Sequence, residues 1–303
     1  MSDYKKTAFV IAHYHQEGHL TKNLFDHVRY IHRFAEKIIF VSTKLNKNSI
    51  QKLKPYANVI VRKNEGYDFY SYKVGLNAIS NILDVEHLIF FNSSFLTTDP
   101  SKLYKKYLSS ITDDGFYGIS SCSAPRYHIQ SYFFSFFGKQ IIQSKAFDEW
   151  WEKIELTNDR EAVIQKYEVG MTQWFLAQHF NIRPLYVPNT FEKLLTLYRY
   201  LRLLRLDHLN LFFSLKNILH YLSRMKPLLL ANNFGCNPTH FLFDRIYKVF
   251  SIIKIEFLIK NPKNQNLDNF LKYLIQQKSN KISGIKFLIQ RNTNTRDKKL
   301  SRH

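Results

Sequence analysis

The side chains able to do chemistry gather in a few short stretches of this chain. Asn64-Glu65-Gly66-Tyr67-Asp68 sets carboxylates around a glycine, and Asn92-Ser93-Ser94 sets an amide beside two hydroxyls. Such groups can hold the polar part of a ligand. Glycine can admit that ligand close to the main chain, or take a backbone conformation closed to other residues. Gly66, Asp68, Asn92 and Ser94 are therefore candidate binding residues. His13 ends the first apolar run, where a strand would deliver side chains to a ligand. A metal site at His13 and His15 is weakly supported, because the pair has no third ligand nearby. Gln130 and Ser131 form the polar entry to an aromatic run at 128–137. Glu168 precedes Gly170 and an apolar helical stretch, and its carboxylate could take a proton from a hydroxyl nucleophile. The spacing places it at the first turn of a helix ending near His179, where the helix dipole stabilises negative charge.

These residues need elements that bring them together. Residues 57–96 hold two short apolar runs, Val59-Ile60-Val61 and Leu88-Ile89-Phe90-Phe91, separated by an amphipathic segment. That pattern predicts a strand, a helix and a strand. Both polar clusters would then project from the same edge of a mostly parallel sheet, the usual ligand edge. Asp68 stands just before the helical repeat Phe69, Tyr72, Leu76 and is expected as its N-cap. Strands are expected at 7–12, 37–42, 58–61, 87–91, 115–120 and 182–187. Helices are expected at 20–34, 49–56, after Asp99-Pro100, at 147–154 and around 168–179. The alternation is that of an α/β nucleotide-binding sheet. Neither G-x-G-x-x-G nor a P-loop sequence is present, so a dinucleotide fingerprint and a Walker-type site are unsupported.

The 303 residues carry a formal charge of +20. Residues 1–190 hold 23 Lys and Arg against 18 Asp and Glu, whereas residues 191–303 hold 21 against 6. The excess thus lies in the last third. There, residues 191–230 interleave leucines and aromatics with Arg199, Arg202, Arg205, Lys216, Arg224 and Lys226, a pattern of basic amphipathic helices that either pack or lie on an anionic membrane surface. Nucleic-acid binding would suit the charge, but no zinc-finger spacing or RNA-binding sheet motif accompanies it. The expected division is 1–190 as the ligand-binding α/β domain, 191–278 as a basic, mainly helical region, and 279–303 as a basic tail with a disordered end. Cys122 and Cys236, the two cysteines, read as ordinary thiols of a reducing compartment. No stretch of about 18 apolar residues suggests a transmembrane span.

Several segments in order, N-E-G-Y-D-F-Y-S-Y-K-V-G-L, F-F-N-S-S-F, H-I-Q-S-Y-F-F-S-F, Y-E-V-G-M-T and the late N-P-T-H-F-L-F-D-R-I with I-I-K-I-E-F-L-I-K-N-P, resemble the rhamnan synthesis F family of bacterial polysaccharide glycosyltransferases. The resemblance runs from about residue 7 to residue 262. It implies an A-type glycosyltransferase fold, a single mostly parallel sheet between helices, followed by the basic helical region. It also implies transfer of rhamnose or a related sugar, with inversion, from a nucleotide donor such as dTDP-rhamnose or a GDP-sugar to a surface polysaccharide or its lipid-linked precursor.

By position, Gly66, Asp68, Asn92 and Ser94 would lie against the donor, with Gln130 and Ser131 completing the site and Glu168 serving as general base. His13 and Arg126 are further binding candidates, Arg126 as a cation for the diphosphate. Ser93 stands where the family pattern has an aspartate, which leaves a Mg²⁺ or Mn²⁺ site without its expected carboxylate. The ligands of any metal are therefore unassigned. A second reading follows from Ser93: a glycosyltransferase-like chain without activity, serving in a polysaccharide assembly. The expected location is the cytoplasm, at the inner face of the bacterial plasma membrane, with no nucleic-acid partner.

Overall fold

The first strand, β1 (Thr7–His13), is buried along its whole length. Its alternate side chains divide between two cores, with Ala8, Val10 and Ala12 in one and Phe9 and Ile11 in the other. A strand apolar on both faces must be covered on both, which places it at the centre of a parallel sheet between helices. In the computed structural model, residues 6–203, 236–261, 267, 270–272 and 274 are described.

After β1 come α1 (Lys22–Ile31), β2 (Lys37–Ser42), α2 (Lys47–Leu53), β3 (Asn58–Val61), α3 (Tyr67–Asn77) and β4 (His87–Asn92). The chain continues through β5 (Phe95–Thr97), α4 (Pro100–Leu108), β6 (Gly115–Gly118), β7 (Ser121–Cys122), β8 (His128–Ile129) and β9 (Phe133–Phe137). Seven strands form the main sheet in the order β10-β6-β9-β4-β1-β2-β3, with β10 at Ile182–Pro184. Strands β4, β1, β2 and β3 are parallel neighbours. Strand β9 runs antiparallel to both β4 and β6. The sheet is thus mostly parallel, as expected. The aromatic run at 128–137 divides into β8 and β9, and the last strand of the sheet is shorter than the 182–187 stretch.

The register sets the ligand edge. Ala12 pairs with Asn92 and His13 with Ser42, so β1, β2 and β4 end side by side. The order reverses at β1, with β2 on one side and β4 on the other. That reversal is where an open α/β sheet leaves a crevice. Helix α3 lies close over this region. A Cβ on Gly75 would come within 2.4 Å of Val10 Cγ1, so the helix can approach the sheet only because this residue lacks a side chain.

Beyond β9 stand α5 (Lys139–Ile142) and α6 (Lys145–Glu152), the latter burying Trp150 and Trp151. Next is a continuous helical run of α7 (Arg160–Val163), a π-helical segment (Ile164–Val169) and α8 (Gly170–Ala177). Helix α9 (Thr190–Leu203) starts with a capping box: Asn189 Oδ1 accepts from Glu192 N at 2.9 Å and Glu192 Oε2 accepts from Asn189 N at 3.0 Å. The later part comprises α10 (Pro238–Phe241), α11 (Phe243–Phe250), β11 (Ile252–Lys254) and α12 (Ile255–Lys260). Leu242, Ile246, Phe250 and Ile252 enter the same core as Phe9 and Ile11.

The 191–278 region is therefore built onto the sheet where it is described. It also contributes a strand, because β11 pairs antiparallel with β5. Asn237 of the N-P-T-H stretch caps α10, accepting from Thr239 N at 3.0 Å. Arg199 of the basic stretch makes a two-pronged pair with Asp244 at 2.8 and 3.1 Å. Residues 204–230 of the predicted amphipathic helices and the tail from 279 lie outside the described residues.

Candidate functional site

A cavity of about 880 Å³ opens above the ends of β1 and β4. His13, Asp68, Asn92 and Ser94 all line it. Four candidates drawn from stretches up to 81 positions apart in the chain thus converge, because three strands and one helix end at one edge.

The loop before α3 owes its shape to Gly66 and Arg62. Gly66 is the N-cap of α3, in the left-handed region with φ of 73°, and a Cβ there would meet Tyr70 Cβ at 2.6 Å. Its N–H is directed at Asn158 Oδ1, 3.3 Å away. Glycine is needed for the turn itself, and Gly66 is absent from the residues lining the cavity. Arg62 ties the same loop from inside, donating to Lys63 O at 2.8 Å, to Tyr67 O at 2.8 Å and, through Nε, to Ser71 Oγ at 3.0 Å. Its backbone-carbonyl partners leave no pattern in the sequence, and sequence reasoning missed it.

Because Gly66 caps the helix, Asp68 does not. Its Oδ2 instead accepts from Asn92 Nδ2 at 2.8 Å, which removes the expected competition between capping and ligand binding. Burial raises the Asp68 pKa, opposed by the Asn92 hydrogen bond and by the Lys254 charge. Asn92 Oδ1 accepts from Ser94 N at 3.0 Å and Ser94 Oγ at 2.5 Å. Asp68, Asn92 and Ser94 therefore form one hydrogen-bonded chain along the cavity floor.

Glu168 and Ser131 lie beside this chain. Glu168 Oε1 accepts from Ser131 N at 2.9 Å and Ser131 Oγ at 3.0 Å. Oε2 accepts no hydrogen bond among the described residues. Glu168 is within electrostatic reach of Asp68 and Lys254. Neither Glu168 nor Ser131 is among the residues lining the cavity. Glu168 also differs from its expected place at a helix start, since it sits inside the continuous run from Arg160, in the π-helical segment. The extra residue of a π turn redirects side chains locally, and here the carboxylate meets Ser131 in place of a helix start.

Gln130 is turned inward. It is buried, and its Oε1 accepts from Ser120 Oγ at 2.7 Å, while Ser120 also bonds Tyr132 Oη at 2.9 Å. Arg126 is exposed on the loop between β7 and β8, away from the cavity lining. The cation that joins the cluster is Lys254 of β11. Its Nζ donates to Ser94 Oγ at 3.1 Å and stands 4.4 Å from the centre of the Tyr132 ring. Lys254 belongs to the I-I-K-I-E stretch, and sequence reasoning missed it because its partner strand lies far away in the chain.

His13 is buried, with Nδ1 2.8 Å from Ser42 Oγ. Burial first, then the neighbouring His15, pushes its pKa down to about 4, against a hydrogen bond with the His19 backbone. It is a neutral part of the wall. Ser93 Oγ accepts from Tyr14 N at 3.1 Å, joining the ends of β1 and β4.

A divalent cation is poorly matched to these donors. Mg²⁺ and Mn²⁺ favour oxygen ligands with several carboxylates or waters. Here one carboxylate and one amide already bond each other, Ser93 is committed to the backbone, and an ammonium rests on Ser94. No group of three His, Cys, Asp or Glu residues suited to a metal occurs among the described residues.

An uncharacterized protein y4gN of Sinorhizobium fredii is 29% identical over 186 residues, covering 59% of this chain and 48% of its own. Virulence protein VirA of Vibrio anguillarum is 26% identical over 209 residues, covering 67% and 62%. The chain thus spans about half to three fifths of the length of these curated relatives. Among solved structures, a 4-diphosphocytidyl-2C-methyl-D-erythritol synthase of Anaerococcus prevotii aligns with a TM-score of 0.37 at 12% identity, over 60% of this chain and 89% of that one. A cytidylyltransferase of Leptospira borgpetersenii aligns with 0.33 at 12% identity, over 77% and 99%. Superpositions this loose carry no argument about chemistry. The rhamnan synthesis protein F family, in contrast, matches residues 38–220, well over half of the sequence and most of the site just described. The chain belongs to the rhamnan synthesis protein F family.

Proposed function

We propose that this chain is a nucleotide-sugar-dependent glycosyltransferase of polysaccharide assembly, with an A-type sheet and an inverting mechanism. The observation that carries the reading is the hydrogen-bonded chain Asp68–Asn92–Ser94 at the strand-order reversal, with the Glu168 carboxylate beside it. The mixed sheet, with β9 antiparallel among parallel strands, and the family membership support the same conclusion.

In this reading the donor lies along the cavity floor against Asp68, Asn92 and Ser94. The sugar, rhamnose or a related one, faces Glu168. Ser131 holds Glu168 Oε1, leaving Oε2 to accept the proton of an acceptor hydroxyl. The hydroxyl oxygen then bonds the anomeric carbon from the face opposite the diphosphate. The carbon–oxygen bond to the leaving group breaks, and its electron pair departs with the nucleoside diphosphate. A single displacement inverts the anomeric centre and needs no second carboxylate as nucleophile, unlike a retaining hydrolase. Fixed donors and cations must meet the charge growing on the diphosphate.

The acceptor is proposed to be a glycan or lipid-linked glycan at the inner face of the plasma membrane. No helix among the described residues is long and apolar enough to cross a membrane. A second reading rests on Ser93, whose hydroxyl bridges to Tyr14 in place of an acid: a chain that binds a donor or glycan without transfer. Calorimetric titration with dTDP-rhamnose, GDP-sugars and UDP-sugars tests the main reading. Selective binding of one donor is the expected result, and a folded protein that binds none overturns it.

A further inference from the structure

Lys254 reaches the site from β11, 160 positions after the Ser94 it contacts and beyond the residues matched by the family. Both its position and its surroundings are fixed. Its backbone pairs with Phe95 in the β5–β11 ladder. The next residue's N–H donates to Ser94 O at 2.9 Å. The chain end of β4, which carries Asn92 and Ser94, and the strand that carries Lys254 are thus stitched together at the cavity floor.

The ammonium is held on its sides by a hydroxyl and an aromatic face, Ser94 and Tyr132. Burial lowers the Lys254 pKa, and the Glu168, Asp68 and Glu256 carboxylates oppose that by favouring the protonated form. The lysines that line the cavity are already paired at its rim: Lys22 Nζ lies 2.6 Å from Asp26 and Lys260 Nζ lies 3.7 Å from Glu256, with both lysines largely exposed. Lys254 is not itself among the lining residues but is the cation bonded to Ser94, which does line the cavity, in a cluster where Ser93 and the Asp68–Asn92 bond leave a poor set of metal ligands.

We infer that Lys254 supplies in ionic form what a divalent cation would otherwise supply, binding the donor's diphosphate and neutralising the leaving group, so that the site works without a metal. The inference rests on the glycosyltransferase reading. It also gives the C-terminal region a definite role, in which β11 and α12 complete the donor site rather than serving only as a membrane-facing appendage. An ammonium in a fixed place suits this role because it needs no recruitment and little reorganisation as charge develops on the leaving oxygens. Lysine also binds phosphate as a point charge, tolerating the shift of geometry between bound donor and departing diphosphate.

The test is titration of UDP, GDP and dTDP into full-length protein in EDTA and again in Mg²⁺, for the wild type, Lys254→Met and Lys254→Arg. One nucleoside diphosphate is expected to bind the wild type in EDTA with an affinity that Mg²⁺ hardly changes. Lys254→Met should weaken it by about 30-fold or more, the scale of removing one partner from a desolvated charge pair. Lys254→Arg, which keeps the charge, should recover most of the loss. Binding that appears only with Mg²⁺ overturns the inference while leaving the glycosyltransferase reading in place, as does equal binding by Lys254→Met. Absence of binding in both media overturns the two together. Should Lys254→Met fail to fold, Lys254→Gln and the wild-type EDTA comparison decide the matter on the same terms.

Discussion

The wall of the cavity at the ends of β1 and β2 and the wall at the end of β4, which Lys254 of β11 and Glu168 of the π-helical segment back from outside the lining, stand side by side, yet they are made of different chemistry. On the first, His13 is kept neutral and bonded to Ser42, and Tyr14 is joined to Ser93 through the backbone. On the second, two carboxylates and an ammonium lie within electrostatic reach of one another. In the first wall His13 and the Tyr14 N–H are satisfied by the protein itself, and this side gives the cavity its shape. The second carries charge that a ligand can use. A transferase needs both, since a reacting group acts only where its surroundings hold it in place.

The sharpest way to separate the walls is to remove a charge without removing a shape. Glu168→Gln keeps an oxygen for Ser131 and loses the base. Turnover is expected to fall by about 10³-fold, within the range for a positioned general base, with donor affinity nearly unchanged in calorimetry. Equal turnover would take Glu168 out of the chemistry.

The neutral wall should reveal itself through pH. The unfolded chain takes up the His13 proton near the ordinary histidine value of 6.5, whereas in the folded chain it does so only near 4. Between those values the unfolded state binds more protons, so this stabilising contribution is complete above about 6.5 and is lost as pH falls towards 4. The shift corresponds to at most about 3 kcal/mol. Burial also lowers the His27 and His87 pKa values, each to about 3, so these add to the same acid sensitivity. Urea unfolding at pH 7 and pH 4.5 should show a smaller loss for His13→Gln than for the wild type. An identical loss would mean that His13 titrates freely.

Between the walls stands the turn at Gly66. Gly66→Ala places a side chain at φ of 73° and against Tyr70, and about 1–2 kcal/mol of stability should be lost. Urea unfolding measures it, and a midpoint like the wild type's would show that the loop shifts freely.

Which parts could be read in advance follows from how local their causes are. The strands β1 to β4 are continuous apolar runs, and the ligand edge follows from strand–helix–strand order, so His13, Asp68, Asn92 and Ser94 were legible as neighbours. The capping role given to Asp68 was not correct, because a left-handed glycine two residues earlier already starts α3. The place of Glu168 in its helix depends on a π turn, which leaves no simple periodicity in I-Q-K-Y-E-V. Gln130 shares a polar pair with Ser131, but the bond to Ser120 is settled by packing of the strand beneath it. Arg126 and Lys254 make the plainest contrast. A basic residue near the aromatic run suggested itself as the site's cation, while the one in place comes from a strand whose partner, β5, lies some 160 positions earlier. Pairing at that distance is a property of the folded chain, and a lysine within an apolar run carries no mark of it.

The central claim is that the charged wall transfers a sugar, and the most direct measurement is release of nucleoside diphosphate by the wild-type protein, holding its donor, as a glycan or lipid-linked glycan fraction is added. The account predicts that release rises with acceptor and matches the sugar gained by the glycan. Donor that binds but is released at the same slow rate whatever the acceptor, with no sugar transferred, would contradict it and leave a binding component of the assembly.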